Sequence, residues 1–147
     1  MQSIYSPKEN VKEKESIMIF GTFDLLHLGH RSLVLQAQTL GTVTVVVARD
    51  ESVLKIKGKK PRENEQKRVN AMKKAFPDAD IILGDSRDFL APLRGVQPDL
   101  IVLGYDQKLP LGISEVDLPC PVRRASAFQP EKYKSSLMSG AKNDTMS

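Results

Sequence analysis

Residues 21–30 read Gly21-Thr22-Phe23-Asp24-Leu25-Leu26-His27-Leu28-Gly29-His30, and both histidines of the chain fall inside them. His27 and His30 are three residues apart, so on an opening helical turn they share one face. Gly29 between them lets backbone come close to a ligand. The apolar run Ile17–Phe20 leads in as a strand, and Leu33–Leu40 leads out with apolar residues at helical spacing. The stretch therefore predicts strand, tight turn and helix, with two imidazoles at the helix start. A helix start offers free backbone N–H groups and the positive end of a dipole, which suits an anion and above all phosphate.

Outward from this stretch the pattern alternates. Ser16–Phe20 reads as the first strand and Leu28–Leu40 as a helix closed by Gly41. Thr42–Ala48 is β-branched almost throughout and reads as a buried parallel strand. Asp50–Lys55 has the length of one helical turn, and Lys57–Arg62 reads as a basic loop. Asn64 is placed to cap a helix over Glu65–Phe76, whose Val69, Met72 and Phe76 form one stripe. Ala79–Leu83 and Leu100–Leu103 read as further strands, Asp88–Arg94 as a short helix, and Cys120–Arg124 as a fifth strand. Strands alternating with helices predict an α/β, Rossmann-like three-layer fold with a parallel sheet of about five strands. In such sheets ligands bind beyond the carboxyl ends of the strands, where the strand order switches. Thr22–His30, Arg49-Asp50 and Tyr105-Asp106-Gln107 all follow strands, so topology gathers them on one edge.

The chain has 147 residues, which suits one domain, and the expected division is a flexible lead over 1–15, a domain over 16–138 and a flexible tail over 139–147. Aromatic residues are 5% and Trp is absent, so the core must be aliphatic. One cysteine, Cys120, excludes an internal disulfide framework and fits a reducing, cytoplasmic setting. No apolar stretch approaches a membrane span, and Met1–Ser16 alternates Lys with Glu, unlike a signal or transit peptide. Net charge is +4, with the excess concentrated at Lys55, Lys57, Lys59, Lys60, Arg62, Lys67, Arg68, Lys73 and Lys74. Such a cluster serves nucleic acid, a phosphorylated small molecule or simply a solvated helix face. No aromatic residues interleave it for base stacking, so nucleic acid is not the expected partner.

The histidine pair admits two other readings. As zinc ligands, the two would need carboxylates to complete the site, because there is no third His and only one Cys. As structural groups, they would cap the helix start. Asp24 suits either orientation of a lysine or hydroxyl, or a cap. Asp106 follows a Gly at a strand end, where a carboxylate serves a substrate hydroxyl, a Mg²⁺-bound water or a plain turn. No Ser-His-Asp or Cys-His arrangement stands out.

The segment Gly21–His30 resembles the signature of the HxGH nucleotidyltransferases, the cytidylyltransferase-like superfamily, and the resemblance runs from about Ile17 to Leu137. It implies transfer of a nucleoside monophosphate from a nucleoside triphosphate to a small phosphorylated acceptor, with pyrophosphate leaving. Catalysis is then largely positioning and electrostatic stabilisation. The implied catalytic residues are His27, His30 and Lys57, with the histidines donating to α-phosphate oxygens. The implied nucleotide site adds Gly21, Thr22, Phe23, Gly104, Asp106, Ser135 and Ser136. Lys57 and Lys59 hold the family's lysine positions and Arg68 its arginine position, and Asp24 and Tyr105 join them as phosphate or acceptor residues. Lys134-Ser135-Ser136-Leu137 resembles the family's C-terminal Ser/Thr motif, although it departs from the Arg-Thr-x-Gly-Ile-Ser-Thr form. Mg²⁺, or another divalent cation, is expected with the triphosphate and without direct protein ligands. Val47–Glu51, Lys57-Gly58 with Pro61, Ile82-Leu83-Gly84 and Pro98–Gln107 are most similar to the archaeal-type FAD synthases, which transfer AMP from ATP to FMN. Glycerol-3-phosphate cytidylyltransferases, which use CTP, are the alternative. Phe89, Tyr105, Phe128 and Tyr133 are the late aromatics available to a flavin. The family's frequent dimers make the apolar first helix an expected contact between copies, with no membrane partner.

Overall fold

The β-branched run and the apolar lead-in to the histidines lie side by side at the centre of the sheet. The computed structural model describes residues 15–127. In chain order they form β1 (Glu15–Gly21), α1 (Leu28–Gln38), β2 (Gly41–Val47), α2 (Asp50–Lys57), α3 (Glu65–Ala75), β3 (Asp80–Leu83), α4 (Ala91–Val96), β4 (Leu100–Leu103) and β5 (Val122–Arg124). A short 3-10 turn at Glu115–Asp117 precedes β5. The sheet has five strands in the order β3-β2-β1-β4-β5, and all pairs are parallel. This is the expected Rossmann-like α/β fold. Of the expected lead, residues 1–14 lie outside the described residues while Glu15 opens β1, and the expected tail, with Ser135 and Ser136, lies outside them too.

Alternation along the central strands sorts the core into two layers. Ile17, Ile19, Val43 and Val45 face α1 and α3, where Val34, Ala37, Val69 and Met72 meet them. Met18, Phe20 and Val46 face the other way, against Leu93 of α4, Ile101, Leu103 and Leu118. Burial on both faces explains why these strands are continuous apolar runs. Right-handed crossovers account for the sides: β1 to β2 to β3 steps one way across the sheet, and the return to β4 puts α4 on the opposite face.

Four expectations shift. The single turn after β2 is a helix of 8 residues that takes in Lys57 and stops at Gly58, whose φ of 80° no residue with a side chain adopts cheaply. The fourth helix begins at Ala91, because the Asp88 carboxylate accepts from Leu90 N–H and forms a turn ahead of it. Gly41 is the first residue of β2 and not a helix stop; a Cβ there would lie 2.2 Å from the Glu15 carbonyl oxygen, so close strand approach demands the glycine. The last strand starts at Val122, two residues later than Cys120.

The strand order reverses between β1 and β4. The loops leaving their carboxyl ends, 22–27 and 104–107, therefore border one crevice. Among the described residues, no helix is long and apolar enough to cross a membrane. Leu28 and Leu35 stand exposed on α1, as an apolar contact surface would require.

Candidate active site

His27 is the N-cap of α1, and the cap is built from the two imidazoles. His27 Nδ1 accepts from Gly29 N–H at 3.1 Å and from His30 N–H at 3.4 Å. His30 Nδ1 in turn accepts from His27 N–H at 3.3 Å. The rings stack, with centroids 3.6 Å apart. These hydrogen bonds require an unprotonated Nδ1 on each ring, so each neutral imidazole carries its proton on Nε2. The capping and ligand readings of the pair are thus compatible. One nitrogen of each ring closes the helix, and the other is left as an N–H donor.

Burial, joined by the electrostatic influence of His27 and Lys57 and opposed by Asp24, pushes the His30 pKa down to about 4. His30 is therefore neutral at physiological pH. Phe23 supplies much of the apolar floor: it is 2% exposed and its ring meets His30 edge-on at 5.4 Å. Gly21 leaves room for it, since a Cβ at 21 would come within 2.8 Å of the Phe23 ring. Phe23 was expected among the nucleotide contacts; its side chain is instead core, and it serves the site by supporting His30.

Arg68 departs further from expectation. It is 0% exposed and its guanidinium faces inward, not toward a phosphate. Nη1 donates to the Thr22 and Ala48 carbonyls at 2.8 Å each, and Nε to the Glu63 carbonyl at 2.9 Å. Nη2 pairs with the Asp50 carboxylate at 2.6 Å. One buried cation thus ties the ends of β1 and β2 to the start of α3. Asp50 and Glu65, at the heads of α2 and α3, cap each other: Asp50 N–H donates to Glu65 and Glu65 N–H to Asp50. Arg49 completes the frame, bonding Glu65 and the Gly84 carbonyl.

Asp24 does not cap α1; its carboxylate holds the backbone at the end of the basic loop. Its two oxygens accept from Arg62 N–H at 2.8 Å and Glu63 N–H at 2.9 Å. Burial pushes this carboxyl up, but those hydrogen bonds, with the charges of Arg68 and Arg62, outweigh it and hold the pKa below the ordinary value.

Across the crevice, Gln107 pins the loop after β4. Its Oε1 accepts from Gly104 N–H at 2.8 Å and its Nε2 donates to the Phe20 carbonyl at 3.0 Å. Arg124 holds the same loop by the Gly104 and Gln107 carbonyls. Tyr105 and Asp106 stand exposed on this pinned turn. Phe89 stacks on Phe20 at 4.7 Å, which leaves Tyr105, 57% exposed, as the described late aromatic open to a ligand. Phe128 and Tyr133 lie outside the described residues.

Topology therefore sets Gly21, Thr22, His27 and His30 on the loop side after β1 and Gly104, Tyr105 and Asp106 on the loop after β4, and the charge of Lys57 is felt at His30. Lys59 is exposed on the loop beyond Gly58. Asp50 and Gln107 were placed on this edge by the sequence but given no role there, and Glu63, Glu65 and Arg124 were not expected at it. Among the described residues, no three His, Cys, Asp or Glu side chains group to hold a metal.

A helix start capped by two imidazoles, at a strand-order switch, is where an α/β domain of this kind can hold an anion. The chain belongs to the cytidylyltransferase-like family, whose model matches residues 18–136. It is 42% identical over 104 residues to the FAD synthase of Methanosarcina mazei, covering 69% of this chain and 67% of that protein. Over 129 residues it is 36% identical to the FAD synthase of Aciduliprofundum boonei, covering 86% and 85%. A crystal structure of the lipopolysaccharide core biosynthesis protein from Thermoplasma volcanium superposes with a TM-score of 0.68 at 33% identity, covering 78% of this chain and 98% of that one.

Proposed function

We propose that the chain is an FMN adenylyltransferase. AMP passes from ATP to the phosphate of FMN, forming FAD and releasing pyrophosphate. The observation that carries this reading is the imidazole pair. With both Nδ1 atoms spent on backbone N–H groups, His27 and His30 have two Nε2–H donors to offer and no free lone pair. They are built to stabilise a phosphoryl oxyanion, not to remove a proton. An FMN phosphate is already ionised at neutral pH and needs no base to attack the α-phosphorus. The several FAD synthases among the relatives support the choice of acceptor.

ATP lies over the start of α1, with its α-phosphate at the two Nε2–H groups and its ribose and base along Gly104–Gln107. Lys57 and Lys59 meet the phosphates as point charges. Attack is in line; the α-phosphorus–oxygen bond to pyrophosphate breaks as the bond to the FMN phosphate oxygen forms. Pyrophosphate leaves, and Ser135 and Ser136, through the resemblance of their motif, are the residues to bind it. Mg²⁺, when bound with ATP, would supply charge neutralisation at triphosphate oxygens. Asp24 spends its carboxylate on backbone N–H groups and Asp106 stands exposed, which fits a cation held mainly by phosphates. Tyr105 is available to the flavin. The cytoplasm, where these substrates and a free Cys120 thiol belong, is the compartment of this reading, and a homodimer through Leu28 and Leu35 its assembly.

Pyrophosphate release tests it, with ATP and CTP crossed against FMN and glycerol 3-phosphate. Release with ATP and FMN, lost in His27→Ala, is expected. Release only with CTP and glycerol 3-phosphate would replace FMN by a phospho-alcohol. Salt-sensitive nucleotide binding with no turnover would reduce the protein to a binding module.

A further inference from the structure

The turn that carries the histidines is strained, and its restraint comes from a distant residue. Phe23 and Leu25 have φ of 54° and 51°, in the left-handed region that L side chains enter only at a cost. Phe23 is held there by burial. Leu25 is 49% exposed, so packing does not hold it. What does hold it is a hydrogen bond from Leu25 N–H to Glu63 Oε1, 3.0 Å long and spanning 38 residues of sequence. The exchange is mutual, because the Asp24 carboxylate accepts from Arg62 and Glu63 N–H in return. Arg68 anchors both sides, at the Thr22 and Glu63 carbonyls.

Two residues beyond Leu25 stands His27, whose backbone N–H and Nδ1 open the helix cap. Relaxing Leu25 to an ordinary φ redirects the chain into that cap and moves both rings. Reacting groups misplaced by about 1 Å lose around a hundred-fold in rate. We propose that Glu63 is a positioning residue for nucleotidyl transfer: through Leu25 N–H it holds the left-handed turn that aims the His27 and His30 Nε2–H groups. Glu63 also stands at the far end of the basic loop that begins after Lys57, so one staple joins the histidine turn to that end of the loop. The proposal rests on the nucleotidyl-transfer reading, and its test has a readout independent of the acceptor.

The chain has only two histidines, so imidazole ¹⁵N–¹H spectra of tag-free protein report the pair directly. Both rings should show the Nε2–H tautomer, Glu63→Ala should shift and broaden their signals, and Glu63→Gln, which keeps the Oε1 acceptor, should restore them. In turnover, Glu63→Ala should lower kcat by about 10- to 100-fold with KM for ATP nearly unchanged, as expected of misaimed transition-state donors. Adding Leu25→Gly to Glu63→Ala should recover part of the lost kcat, since glycine takes positive φ without being held. Wild-type imidazole spectra in folded Glu63→Ala would overturn the proposal. So would a kcat loss that neither Glu63→Gln nor Leu25→Gly relieves. Absence of wild-type turnover with FMN would count against the acceptor alone, because the spectra still decide the role of Glu63.

Discussion

Arg68 and Lys57 are both cations near the histidine loop, and they are used in opposite ways. Arg68 is fully buried and holds three backbone carbonyls and the Asp50 carboxylate. Lys57 is exposed at the end of α2, and its charge reaches His30. The planar guanidinium, with donors in a fixed fork, suits a permanent backbone clamp, whereas the ammonium on a flexible stem suits a ligand that comes and goes. Positive charge is thus divided between a buried clamp that builds the crevice and an exposed group that the proposed reaction uses.

Substitutions can break this division. Arg68→Met leaves Asp50 and three carbonyls without their donor, and breaking a buried pair costs about 3–5 kcal/mol. Urea unfolding should show a loss of that size, and a stable Arg68→Met that lost only activity would sink the comparison. His30→Ala removes a donor from the transition state, worth about 2.7–4 kcal/mol in kcat. It should also lose a little stability with the cap, a mixed effect between the two extremes. Lys57→Met should leave the melting temperature alone and lower kcat/KM by about 10- to 100-fold, the range for a hydrogen bond to a charged group. A matching loss of stability would place Lys57 with Arg68.

A further effect is in pH. His30 protonates near 6.5 when unfolded and near 4 in the fold. Between those values the unfolded chain alone takes up the proton, so stability should fall as pH drops through the window and stay level above it. His30→Gln should remove that dependence. Asp24, with its pKa held down, loses stability only at lower pH, in the carboxylate range.

How legible this was depended on the range of the interaction. Thr42–Val47 and Ile17–Phe20 announced their strands because residues buried on both faces leave an unbroken apolar run. Asn64 announced α3 through its own side chain, which accepts from Lys67 N–H. The histidine pair was legible for the same local reason. Arg68 was open to a better reading: it stands four residues before Met72 and eight before Phe76, on the buried stripe of α3, so its burial was written in the helical period. Glu63 left no such trace, since its meaning lies in an N–H 38 residues away. Arg124 likewise acts through the backbone of a loop 17 to 20 residues earlier, which no local pattern records.

The strand order has a consequence for biosynthesis. β1 is first among the described strands yet sits in the middle of the sheet, and its partner β4 comes some 80 residues later. Ser16 and Asp99 lock that pairing through two hydrogen bonds, 83 residues apart in sequence. On the ribosome, the histidine loop emerges early, but one edge of β1 stays open until residues 100–103 follow. The crevice acquires its second wall last, so a nascent chain cannot hold nucleotide in it before most of the domain has been made.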